Sequence, residues 1–336
     1  MYSWKTSLDS LADHRGVIVV LGPTDTGKTT WVAELVRRSD LEEIIIVSGD
    51  PGQVTFGAPG LLSAARWDPA VESLADLQPD RCYFIGKSTP SGRFLQMIHG
   101  LTILTKWARN RAGLVIVDTD GYVSGGAARE YKRLLLSHLS PCDAILLGDD
   151  PVLDPIHHWA KSQNTIETHT VKPPIGAETK TMADRNRYRK KMMNTWFQNA
   201  EVRTVPLEEH RIYSQVSGVG RLLSDQELSE ISDLLHTRVL HAERTKQWLN
   251  VVLAEYTPYR NVRALRQRFS DLKVKVMHAS DWKDVLTADM QSDGFSSGMG
   301  YIAGWHKEPR SLLIRGRFFR DPGDTWFLGD FTYQEG

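Results

Sequence analysis

Along the first half of the chain, short runs of consecutive apolar residues alternate with longer stretches in which apolar positions recur every three or four residues. An unbroken apolar run suits a strand covered on both faces of a parallel sheet, because successive side chains point to opposite faces. On this basis residues 17–21, 44–47, 83–86, 114–117 and 144–147 are predicted strands. Residues 28–38, 92–109 and 126–139 carry the helical period between them, and Pro141 marks the stop of the third helix. Strand and helix in alternation predict an α/β layer with a mostly parallel sheet and helices on both faces.

The pattern changes near residue 150. A polar, proline-containing stretch with a dense basic segment follows, and from about residue 202 shorter amphipathic strands begin. A helix is predicted over 224–240, opened by Ser224 with Glu227 three residues on, a capping-box spacing. Strand-like runs follow at 248–254, 272–277, 301–305 and 311–317. The expected organisation is one domain over 1–201, including a basic lid at about 172–200, and a smaller α+β or β-rich domain over 202–336.

Composition removes several function classes. Hydrophobic residues make up 41% of the 336 and charged residues 24%, a balance that suits a soluble globular protein. Basic and acidic residues number 41 each, so any affinity for a polyanion must come from a local site. Cys82 and Cys142 lack the spacing of a metal or redox pair, no apolar run approaches a membrane span, and the first fifteen residues are too charged for a secretory leader. A cytoplasmic protein with no membrane partner is expected.

Gly22, Pro23, Thr24, Asp25, Thr26, Gly27, Lys28 and Thr29, followed by Thr30, match G-x-x-x-x-G-K-[ST] between a predicted strand and a predicted helix. The glycines let backbone N–H groups close around phosphate oxygens, the helix N-terminus adds its positive end, and Lys28 reaches toward the terminal phosphates. Thr29 supplies a hydroxyl suited to Mg²⁺. The fold class is therefore the P-loop NTPase type, with ATP or another NTP and Mg²⁺ as expected cofactors.

A second acid is needed beside the metal, and two positions compete. Asp118 ends the apolar run 114–117 in the usual Walker-B form, whereas Asp50 leads into the turn Pro51-Gly52-Gln53 after the neighbouring strand. Pattern alone favours Asp118. Residues 180–191 hold six basic groups against Asp184, with Arg185 and Arg189 four apart on one helical face. Such a run is either a solvated helix face or a set of mobile cations that close over phosphate. Together with Lys172 it could also receive nucleic-acid phosphates. Tyr122, after a strand end and Gly121, is either a turn residue or a stacking platform.

These stretches resemble the polynucleotide 5′-hydroxyl kinases related to the RNA kinase of the eukaryotic pre-mRNA cleavage factor and to nucleolar pre-rRNA-processing kinases. The likeness rests on the Pro-Thr-Asp interior of the phosphate loop, on Asp50-Pro51-Gly52-Gln53, on Thr119-Asp120-Gly121-Tyr122, on Tyr83-Phe84-Ile85-Gly86 with Pro90, and on Arg185 with Arg189. It implies phosphoryl transfer to the 5′-hydroxyl end of RNA or DNA. Asp50 would be the metal-side carboxylate and general base, and Gln53, Thr119, Gly121 and Tyr122 would lie at the acceptor. Arg185 and Arg189 would close on the transferred phosphate. The resemblance moves the choice from Asp118 to Asp50, because that family often has asparagine at the position of Asp118. Two departures stand out: Ser48 replaces an expected aspartate, and Tyr122 replaces a tryptophan. A kinase for small nucleosides or nucleotides, and an ATP-binding switch or assembly factor with weak catalysis, are the alternative readings.

Overall fold

A computed structural model describes residues 3–173, 179–214, 217–306 and 310–333. Its chain divides into two compact units, Met1–Trp196 and Phe197–Gly336.

The first unit runs α1 (Trp4–Leu11), β1 (Gly16–Leu21), α2 (Lys28–Arg38), β2 (Ile44–Gly49), β3 (Leu61–Arg66), β4 (Arg81–Phe84), α3 (Phe94–Arg109), β5 (Leu114–Thr119), α4 (Gly126–Leu139), β6 (Asp143–Leu147), α5 (Asp154–Lys161), β7 (Glu167–Val171) and α6 (Met182–Phe197). The sheet order is β4-β3-β2-β5-β1-β6-β7. Strands β2, β5, β1, β6 and β7 are parallel, and β3 lies antiparallel between β2 and β4.

The predicted strands and helices form, except that the strand expected at 83–86 lies two residues earlier, at Arg81–Phe84. The apolar period missed β3 and β7 for different reasons. β3 mixes Leu, Ser and Ala although it is buried, and β7 sits at the sheet edge with polar alternation. His157 and His158 lie on α5. Beneath α2, Trp31, Val32, Leu35 and Val36 pack with Ile18, Val20, Ile116 and Ile145 at no more than 1% exposure. Burying each large side chain of this kind stabilises by roughly 1.5–3 kcal/mol, enough to hold the start of α2 where β1 delivers it. Trp31 also donates from Nε1 to Ser7 Oγ at 3.0 Å, tying α1 to α2.

The second unit contains β8 (Glu201–Pro206), β9 (Arg211–Tyr213), β10 (Arg221–Leu222), α7 (Asp225–Leu235), β11 (Val239–Arg244), β12 (Trp248–Leu253), α8 (Tyr259–Arg268), β13 (Lys273–His278), α9 (Ala279–Trp282), β14 (Val285–Met290), β15 (Gly298–His306), β16 (Ser311–Phe318) and β17 (Thr325–Thr332). They form a four-stranded sheet, β10-β11-β12-β13, and a six-stranded sheet, β8-β16-β15-β14-β17-β9. The capping box at Ser224 and Glu227 is present. The helix it opens is shorter than predicted: His236 takes a left-handed conformation (φ 52°) and ends α7, and residues 239 and 240 already belong to β11. Of the tryptophans in this unit, Trp282 and Trp326 are buried, whereas Trp248 is 41% exposed.

Candidate active site

Parallel β1, β5 and β2 sit side by side and release their chains at the same edge of the sheet, the usual place for a ligand crevice. The loop after β1 leads into α2, whose N-cap Gly27 has φ 85°, a conformation that a side chain would strain. Lys28 is 9% exposed, and its Nζ donates to the carbonyls of Gly22 at 3.0 Å and Pro23 at 2.7 Å. Burial pushes the Lys28 ammonium below its usual value, opposed by the charges of Asp118 and Asp50. A buried cation held by loop carbonyls at a helix N-terminus is the donor set that phosphate oxygens require. Together with the loop's full motif it makes this a nucleotide-phosphate cradle.

Asp118, at the end of β5, is 3% exposed. Its Oδ2 accepts from Thr29 Oγ1 at 2.7 Å and from Thr55 Oγ1 at 2.8 Å. Thr29 thus gives its proton to Asp118 and keeps lone pairs for a cation. Burial raises the Asp118 carboxyl above the ordinary range, against the Thr29 hydrogen bond and the Lys28 charge. The structure therefore brings Thr29 against Asp118, the carboxylate that the strand pattern favoured. Ser48 is the register partner of Asp118 across β2 and β5, and its Oγ accepts the Thr55 N–H at 2.9 Å. The carboxylate absent at 48 has a counterpart one strand over.

Asp50 follows β2. Its Oδ1 accepts from the backbone N–H groups of Gly52 at 2.8 Å and Gln53 at 2.9 Å, a local turn that fixes the carboxylate. Among the described residues no hydrogen bond reaches its Oδ2. Burial, then the charge of Asp120, holds the Asp50 carboxyl above its usual value despite the two backbone donors.

Sequence reasoning missed how Asp120 is held. This side chain is 1% exposed and pairs with Lys132 Nζ at 3.0 Å, the lysine being fully buried. Tyr131 Oη donates to the same carboxylate at 2.8 Å, and the Tyr122 N–H donates to its other oxygen at 2.9 Å. Burial and Asp120 push the Tyr131 phenol well above its normal value. The signal was legible: Ala128, Tyr131, Lys132, Leu135 and Leu139 share one helical stripe, so Lys132 falls on the buried face of α4. Gly121 lies against the phosphate loop, where a Cβ would meet Thr24 N at 2.7 Å. The Thr119 hydroxyl is buried and bonded to Val20 O at 2.8 Å, so it fastens β5 to β1. Tyr122 is half-buried, with Phe94 5.6 Å away between ring centres, and Phe94 in turn stacks on Tyr131 at 5.2 Å.

The basic helix α6 rests on this loop cluster. Arg185 Nη2 donates to Asp25 Oδ2 at 2.7 Å, and the Lys180 N–H reaches the same oxygen at 3.0 Å. Gln53 Nε2 donates to Arg185 O at 3.3 Å, and Tyr188 Oη donates to Val54 O at 2.8 Å. Asp25 has φ 65°, which aspartate tolerates, and it is the phosphate-loop residue that α6 contacts through Arg185. Arg189 bonds instead to Asn186 on its own helix. Within the predicted lid, residues 174–178 lie outside the described residues.

The chain is 27% identical over 293 residues to a polyribonucleotide 5′-hydroxyl-kinase of Pyrococcus furiosus, covering 85% of this chain and 78% of that protein. A protein of the same name from Pyrococcus horikoshii is 24% identical over 291 residues, 85% of this chain and 76% of its own. Among solved structures, Clp1p in a complex with Pcf11p aligns with a TM-score of 0.63 at 14% identity, over 98% of this chain and 78% of that one. That likeness speaks to the fold. The pattern described as mRNA cleavage and polyadenylation factor CLP1 P-loop matches residues 22–199, more than half of the chain. The chain belongs to the CLP1 P-loop family.

Proposed function

We propose that the protein is a polynucleotide 5′-hydroxyl kinase, transferring the γ-phosphate of ATP or another NTP to the 5′-hydroxyl end of RNA or DNA. The observation that carries the proposal is the placement of Asp50. It is an oriented, raised-pKa carboxylate with one oxygen unencumbered, beside the phosphate loop and ahead of Gln53. A carboxylate in that state takes a proton from a hydroxyl more readily than an ordinary surface aspartate does. The similarity to relatives named for the same activity supports the reading.

Lys28 and the loop amides hold the phosphates, and Thr29 and Asp50 offer oxygen to the cation, with Asp118 orienting the Thr29 hydroxyl. Mg²⁺, when bound, neutralises charge on the donor phosphates. Arg185 approaches from α6 to cover the transferred group and exclude water, with Arg189 one helical turn on. Tyr122 presents an aromatic face to the terminal base, set by Phe94 and by the hydrogen bond of its N–H to Asp120. Gln53 spans from the Asp50 turn to the lid.

Steady-state kinetics on a 5′-hydroxyl oligoribonucleotide test the acceptor assignment. Loss of one base stack costs about 1–3 kcal/mol, so Tyr122→Ala should raise the oligonucleotide KM by roughly tenfold or more with ATP binding unchanged. Equal loss of both would place Tyr122 in the scaffold and remove the acceptor from this face.

A further inference from the structure

We infer that a divalent cation of the zinc class binds at the edge of the first sheet opposite the phosphate loop, held by His14, Asp143, Glu167 and His169. The residues converge from three chain segments: the loop after α1, the first position of β6, and β7. Asp143 and Glu167 are register partners, and Glu167 and His169 are two apart, so all three project from one face of the sheet. His169 Nε2 lies 2.6 Å from Asp143 Oδ1, and His14 Nε2 lies 2.7 Å from Asp143 Oδ2. Ligand atoms of Asp143, Glu167 and His169 fall within 4.8 Å of one another.

Three features point to a cation rather than a simple polar cluster. The Asp143 side chain is 3% exposed yet takes an imidazole nitrogen on each of its oxygens. The His14 Nε2 is buried and lies 2.7 Å from Asp143 Oδ2, which brings a second imidazole nitrogen into the cluster. Two neutral imidazoles and two carboxylates carry a formal charge that a dication cancels, and nitrogen–oxygen sets of this kind suit Zn²⁺ better than Mg²⁺ or Ca²⁺. Bonds of about 2.0–2.1 Å in a tetrahedron place donor atoms roughly 3.3 Å apart. From approaches of 2.6 Å and 2.7 Å to Asp143, the two imidazoles would draw back by less than an ångström to take the ion, and the Glu167 carboxylate would close in from within 4.8 Å. The bound ion would clamp the edge strand β7 and the segment before β1 to β6.

The test uses the untagged full chain, stripped with chelator and free of nucleotide. Calorimetric titration with ZnCl₂ should show one equivalent bound, and Co²⁺ in its place should give the intense visible absorption of a four-coordinate site. Zn²⁺ at a hundred times its Kd should raise the melting temperature by roughly 5 °C. His14→Gln and His169→Gln should each weaken Zn²⁺ binding by at least about a hundredfold, since even outer-shell substitutions cost up to that much. His14 is in a half-exposed loop, so its variant stays informative should the His169 variant fold poorly. Absence of Zn²⁺ binding, or binding indifferent to both substitutions, overturns the inference and leaves a proton-bridged clamp.

Discussion

The carboxylates of the site separate by environment. Asp118 is spent on two threonine hydroxyls, whereas Asp50 keeps an oxygen unencumbered, which is the reason the proposed function gives Asp50 the acceptor. Because its folded pKa is raised above 3.8, the folded state binds the proton more tightly than the unfolded chain. Stability from this group is therefore greatest when it is protonated and falls as pH rises through the folded value. Two outcomes follow. Transfer should decline on the acid side at a pH above the ordinary carboxylate range, as a rate profile would show. Asp50→Asn should abolish transfer while melting at neutral pH a few degrees higher, roughly 2–4 °C. A variant that loses activity and melts lower would make Asp50 structural.

Elements hold these residues in place, and here the sequence was unevenly informative. The phosphate loop, α2 and the central strands were readable because burial on both faces leaves unbroken apolar runs. Asp50 and Tyr122 needed the family likeness, since a lone aspartate or tyrosine after a strand has several ordinary uses. The Asp120–Lys132 pair went unread although Lys132 sits on an apolar stripe, because a charged residue is normally assigned to the solvent face. Removing one partner strands a buried charge, so Lys132→Ala should lower stability by about 3–5 kcal/mol in denaturant titrations. The docking of α6 was also beyond sequence, since a basic run looks alike solvated or engaged. Asp25→Asn should loosen it. With the Arg185 pair partly exposed, the loss is about 1 kcal/mol, read as roughly fivefold faster amide exchange over residues 180–189.

At the scale of the whole molecule, the first unit carries the phosphate loop, both candidate acids, the aromatic row and the lid contacts. The second is β-rich, and its helix α7 ends where His236 turns left-handed, a stop that no glycine or proline announced. A missing stop signal is why the predicted helix ran into β11. Trp248, Tyr256 and Tyr259 in that unit are exposed, at 41%, 77% and 67%.

The central claim is the acceptor, and the direct measurement offers γ-labelled ATP and Mg²⁺ with three acceptors in parallel: a 5′-hydroxyl oligoribonucleotide, the matching oligodeoxyribonucleotide and free nucleosides. Label is expected on the 5′ end of at least one oligonucleotide, with Lys28→Ala reducing it by about a thousandfold. Label on nucleosides alone, or none on any acceptor with ATP binding intact, would contradict it.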